Sequence, residues 1–68
     1  MPFGRVTIVE GRSAEQKHAA AVAITEAIAT HCGGDPAHVY VAFDEVPATD
    51  WTVGGVTVAE RRRQRGEG

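Results

Sequence analysis

Sixty-eight residues suffice for one small domain, and the core of a domain this size seldom contributes more than about 3 to 5 kcal/mol. Cys32 is the only cysteine, which excludes an internal disulfide or a thiolate metal cluster as reinforcement and leaves association between subunits as the common remedy. With 43% hydrophobic residues and a net charge of -2 the composition is globular rather than disordered, and no apolar run approaches the roughly 18 residues that a membrane span needs.

Met1 is followed by Pro2. Aminopeptidases remove an initiator Met before a small second residue, so the mature chain is expected to begin with a secondary amine. The segment lacks the basic start and long apolar stretch of a signal peptide, and the cytoplasm is the expected location. Phe3 to Glu10 alternates, with Val6 and Ile8 on one face and Arg5 and Thr7 on the other, as a half-buried strand does. Ser13 and Gln16 have the spacing of a capping box, and Ala20, Ala21, Ile24, Ala27 and Ile28 then recur at helical spacing as far as Gly33-Gly34. Asp35-Pro36 connects to a second strand, Val39 to Val46, in which Val39, Val41 and Phe43 face one way and His38, Tyr40, Ala42 and Asp44 the other. Two strands bridged by a helix of about 20 residues make a βαβ unit, so the strands are expected to be parallel. Pro47 to Asp50 turns the chain into a short hairpin, Trp51 to Val58, around Gly54-Gly55.

Charge is unevenly spread. Residues 1–58 hold Arg5, Arg12 and Lys17 against seven carboxylates, whereas residues 59–68 hold Arg61, Arg62, Arg63 and Arg65 against Glu60 and Glu67. A basic cluster is able to bind phosphates. This one is terminal, interrupted by acids and without aromatic partners, so it reads as a solvated, frayed tail behind a domain of residues 1–58, with no nucleic-acid role.

Taken one at a time, the candidate functional residues are unpersuasive. Pro2 at the start of an edge strand, Arg12 ahead of a capped helix and Trp51 in a core or contact all have bland readings. His18 and His31 lie too far apart on one helix for a shared metal site, His38 has no partner at fixed spacing, and Cys32 lacks the positive surroundings of a reactive thiolate.

Together, Pro2, the run Ile8-Val9-Glu10-Gly11-Arg12-Ser13, Glu15-Gln16-Lys17, Asp44-Glu45-Val46-Pro47, and Trp51 followed by Val53-Gly54-Gly55 resemble the 4-oxalocrotonate tautomerase family. The resemblance implies an α+β fold, a βαβ protomer with parallel strands and a C-terminal hairpin, assembled as a homo-hexamer, a trimer of dimers, whose active sites are shared between subunits. It implies that Pro2 is the general base of a cofactor-independent isomerase with no metal, moving a proton between oxygen and carbon of a small enol or 2-oxo acid. A free α-amino group titrates at about 7.7 to 8.0, and desolvation beside a cationic Arg favours the unprotonated amine further. Arg12 would then hold the substrate carboxylate and the neighbouring oxygen, and Trp51 would wall the pocket.

One position departs from the family pattern. Better-studied members have a second arginine on the second strand where this chain has Tyr40. Tyr40 offers one neutral hydrogen bond at a place where enolate charge develops, which favours a monocarboxylate, or a less charged aromatic or aliphatic enol, over a dicarboxylate substrate. Iminium chemistry, hydration or C–C bond formation by the same amine stays open, as does a non-catalytic oligomeric binding module should Met1 be retained.

Overall fold

The computed structural model describes residues 2–66, so the expected removal of Met1 concerns a residue outside the described range, as do Glu67 and Gly68 of the C-terminal segment. Two seven-residue strands, β1 (Phe3–Val9) and β2 (Tyr40–Val46), pair in parallel, with Phe3 opposite Tyr40 and Val9 opposite Val46. The crossover between them is helix α1 (Ala14–Cys32). Its start is the expected capping box: the Ser13 hydroxyl accepts from Gln16 N–H at 3.1 Å, and the Gln16 amide oxygen accepts from Ser13 N–H at 2.9 Å. Gly33, at a φ of 81°, ends it.

Alternation along the strands decides which side α1 covers. Gly4, Val6 and Ile8 are half-buried while Phe3, Arg5 and Thr7 are exposed. A Cβ on Gly4 would lie 3.6 Å from Ile24 Cγ2 and 3.7 Å from Ile28 Cδ1, so the helix crosses the strand where a side chain is missing. Lys17, Ala21, Ile24 and Ile28, one stripe at helical spacing, are half-buried, whereas Ala20 and Ala27 face outward. Lys17 closes the layer by pairing with Glu45 of β2. On the opposite face Arg5 Nε pairs with Asp44 Oδ2 at 2.8 Å, and the exposed rings of Phe3 and Tyr40 lie 6.5 Å apart.

Among the described residues none is fully buried. The chain is flat, 44 × 23 × 15 Å, and its radius of gyration is 15.3 Å, where a compact domain of this length has about 11 Å. Its apolar surface therefore lies open on the protomer.

Beyond β2, a 3-10 turn (Ala48–Asp50) leads to the hairpin β3 (Thr52–Val53) and β4 (Val56–Thr57). Gly54 and Gly55 have φ of 60° and 84°, the positive pair that a tight two-residue hairpin turn demands. The basic segment that follows is a helix, α2 (Val58–Gln64), where the sequence suggests an irregular end. Three contacts account for it. The Thr57 hydroxyl accepts from Glu60 N–H at 3.0 Å, Val58 N–H donates to Trp51 O at 2.8 Å, and Arg61 Nη2 donates to Val53 O at 3.2 Å. A seven-residue helix is marginal alone, and these tie it to the hairpin.

Candidate active site

The parallel pairing sorts the candidate residues onto two ends of one sheet. Tyr40 N–H donates to the Pro2 carbonyl at 3.0 Å, so Pro2 and Tyr40 sit together where β1 and β2 begin. Tyr40 is about half exposed there. The Gly11 φ of 123° turns the chain beyond β1, and Arg12 lies at the far end, its Nη1 donating to Val9 O at 2.9 Å. That bond uses one donor of the guanidinium fork.

Trp51 shares Arg12's end. A cleft of about 400 Å³ is lined by Thr7, Ile8, Val9, Arg12, Trp51, Val58, Arg62 and Arg65, and a neighbouring one of about 370 Å³ by Glu10, Gly11, Arg12, Gln16 and Arg62. The larger has the volume of an ordinary small-ligand pocket, an apolar floor from β1 and Trp51, three guanidinium groups, and no carboxylate among its lining residues. Such a cleft attracts an anion. Among the described residues, no group of three or more His, Cys, Asp and Glu is placed to hold a metal ion.

Within one protomer, Arg12 and Trp51 thus meet, and so do Pro2 and Tyr40, but the pairs do not meet each other. Seven strand residues at about 3.3 Å each put roughly 20 Å between them. His38 lies exposed in the 3-10 turn Pro36–His38, beside neither pair.

Arg62 and Arg65 enter the cleft unannounced by the strand pattern. Val58, Arg62 and Arg65 follow i, i+4, i+7 spacing through α2 and its C-cap, and the signal that would have found them is Thr57-x-x-Glu60, a helix start directly before the arginine run.

Comparison with known proteins agrees with this geometry. The family model described as tautomerase enzyme matches residues 2–61. The 2-hydroxymuconate tautomerase of Comamonas testosteroni is 38% identical over 63 residues, covering 93% of this chain and all of its own length. A subunit of the heterohexameric 4-oxalocrotonate tautomerase of Chloroflexus aurantiacus superposes with a TM-score of 0.84 at 45% identity, covering 88% of this chain and 97% of the other. A 4-oxalocrotonate tautomerase homologue of the tomaymycin biosynthetic pathway gives 0.86 at 42% identity, covering 91% and 95%. Fold, length and the span of the match coincide: the chain belongs to the tautomerase family, in its 4-oxalocrotonate tautomerase group, and is an isomerase of that kind.

Proposed function

We propose that the mature chain begins at Pro2 and that its amine is the general base for ketonisation of a small enol or 2-oxo acid, in a site built where two or more protomers meet. The observation that carries this reading is the separation of Pro2 and Tyr40 from Arg12 and Trp51 on a protomer that buries none of its described residues. Residues too far apart to serve one substrate within a chain serve it when the Pro2 end of one subunit faces the Arg12 end of another. A homo-hexamer arranged as a trimer of dimers fits the open faces, and the Chloroflexus aurantiacus relative is itself a heterohexamer.

In that site the Pro2 nitrogen takes the proton from the enol oxygen. The O–H electron pair becomes the carbonyl π bond, and the displaced C=C pair collects the proton back from the ammonium at carbon. Arg12 grips the carboxylate through its planar fork. Tyr40 donates to the oxygen on which charge gathers, and Trp51 keeps water from the amine. The scheme calls for no cofactor or metal. With Tyr40 neutral and β2 carrying no cation, a monocarboxylate is the preferred substrate. Among the described residues no helix is long and apolar enough to cross a membrane, and we place the enzyme in the cytoplasm, with neither nucleic acid nor membrane as partner.

Intact mass and a Pro2→Ala variant test the base. We expect a mass lacking Met1 and a loss of roughly 100-fold or more in kcat on a small 2-hydroxydienoate. An N-terminus that keeps Met1 in active protein, or a Pro2→Ala variant as active as the parent, removes proline from the mechanism. Tyr40 also favours a second reading, in which the amine performs hydration, C–C bond formation or iminium chemistry, because a neutral donor stabilises an enolate less than a cation does. Product analysis by NMR on enol and aldehyde substrates separates the two.

A further inference from the structure

We infer that Phe3 and Tyr40 together form the surface that receives the substrate's tail, and that they select a flat, uncharged, aromatic or conjugated group there; this rests on the tautomerase reading of Pro2 and deepens it by naming the substrate class. The 3.0 Å bond from Tyr40 N–H to the Pro2 carbonyl fixes the register in which Phe3 and Tyr40 stand opposite each other at the strand beginnings. Phe3 follows Pro2 directly, one strand step of about 3.3 Å along the chain. The two ring centroids lie 6.5 Å apart with 35° between the planes, and Phe3 is 60% and Tyr40 49% exposed, so contact between them leaves much of each ring free. A chain with two Phe, one Tyr and one Trp thus leaves two of these rings open at one spot beside the amine. Paired exposed apolar surface of this kind marks a place that something covers.

Charge decides what covers it. Beyond the rings the same sheet face continues into Thr7 and the Arg5–Asp44 ion pair, whose side chains stay 66% and 45% exposed, so the aromatic pair is a patch confined to the Pro2 end rather than part of an apolar sheet face. Arg5 is neutralised there, and β2 carries no cation. An aromatic ring turns the negative face of its quadrupole toward whatever lies on it; a second carboxylate set against two such faces is repelled, while the C–H edge of a planar group is attracted. The Arg12 end has the opposite character, with guanidinium groups and no carboxylate in the lining of its larger cleft. A substrate that spans the two ends is therefore an amphiphile, its single carboxylate on the arginine side and its tail on the rings. The class that follows is a 2-oxo monocarboxylate, or its enol, with an aryl or conjugated group on the carbon that takes the proton.

The experiment uses the processed oligomer and three carboxylates without an enol, as competitive inhibitors of ketonisation: crotonate, cinnamate, which adds a phenyl ring, and 4-carboxycinnamate, which adds a second charge to that ring. Cinnamate should bind about ten-fold tighter than crotonate, the equivalent of about 1.4 kcal/mol, and 4-carboxycinnamate should forfeit that gain. Phe3→Leu keeps apolar bulk but offers no ring face. It should weaken cinnamate about five-fold and crotonate less than two-fold, and Phe3→Tyr should retain the preference. On reacting substrates Phe3→Leu should raise KM for the enol of phenylpyruvate relative to that of 2-oxopentanoate, whereas a strand that is merely loosened lowers kcat for both. Equal binding of crotonate and cinnamate by the wild type overturns the assignment, as does 4-carboxycinnamate binding as well as cinnamate. So does an equal loss on all three in Phe3→Leu with a smaller oligomer on size exclusion, which makes the rings a contact between copies of this chain. None of these results touches the role of Pro2. If Pro2→Ala is fully active while Phe3→Leu still weakens cinnamate alone, the base is wrong and the tail surface stands.

Discussion

Two individually inactive variants should restore each other. Pro2 and Arg12 flank β1, whose seven residues span roughly 20 Å, more than a small organic acid bridges, so on the proposed reading the chain that gives the base is not the chain that gives the carboxylate grip. Pro2→Ala and Arg12→Ala homo-oligomers should each lose 100-fold or more in kcat/KM. When the two are unfolded together in equal amounts and refolded, a site is intact if an Arg12→Ala protomer gives the amine and a Pro2→Ala protomer gives the guanidinium. Random assortment makes each choice correct half the time, so about a quarter of the wild-type activity should return. A site contained in one protomer returns none. The reciprocal mixture sharpens the reading. Wild type refolded with an equal amount of the Pro2→Ala/Arg12→Ala double variant should keep about a quarter of its sites if they are shared, and about half if they are internal. Native mass spectrometry verifies that chains have mixed, and initial rates on a 2-hydroxydienoate give the fraction. A refolded, mixed oligomer no more active than its parents refutes the shared site.

Other perturbations follow from particular contacts. Tyr40→Phe removes the donor beside Pro2 and should lower kcat about ten-fold with little change in KM, whereas Tyr40→Arg should improve a dicarboxylate relative to a monocarboxylate when the two are assayed in competition. Thr57→Ala takes away the hydroxyl that accepts from Glu60 N–H and should cost about 1 kcal/mol in α2, read as a lower urea midpoint, and Thr57→Ser should spare it. Gly4→Ala should be tolerated, since its Cβ meets Ile24 and Ile28 at ordinary van der Waals distance, while Gly4→Leu should push α1 off the sheet and lower the urea midpoint, a loss of about 1 to 3 kcal/mol at fixed protein concentration.

Much of the protomer is legible in the sequence because its local rules agree. The Ser13/Gln16 box, the Gly33 terminator, the alternation around Val6 and Ile8 and the paired glycines of the hairpin each name one local geometry, and the structure has them. Two features escape for the same physical reason. The packed stripe of α1 is Lys17, Ala21, Ile24 and Ile28, but seven alanines and a valine spread apolar character around the helix, so periodicity alone does not choose a face. Likewise the arginine run reads as a solvated end because no apolar periodicity marks it, and its helix depends on contacts from Trp51 and Val53 to residues that follow them. Pro2, Arg12, Tyr40 and Trp51 stand out as residues, yet their division between two ends appears only once the strands are known to be parallel and in register.

That parallel register also explains how a chain so short acquires a site at all. Antiparallel strands joined by a tight turn bring the beginning of one beside the end of the next, and a hairpin of this length would place Pro2 next to Val46. A parallel pair instead gathers both strand beginnings at one end, where Pro2 meets Tyr40, and both strand endings at the other, where Arg12, the Trp51 segment and α2 converge. One end then carries the proposed base with Tyr40, and the other a surplus of guanidinium groups over a hydrophobic floor. Neither end binds and reacts with an enol acid unaided. On the proposed reading, association does more than cover the apolar surface that this protomer leaves open: it sets cation against base, so that the carboxylate of a substrate is held by one chain while its proton is moved by another.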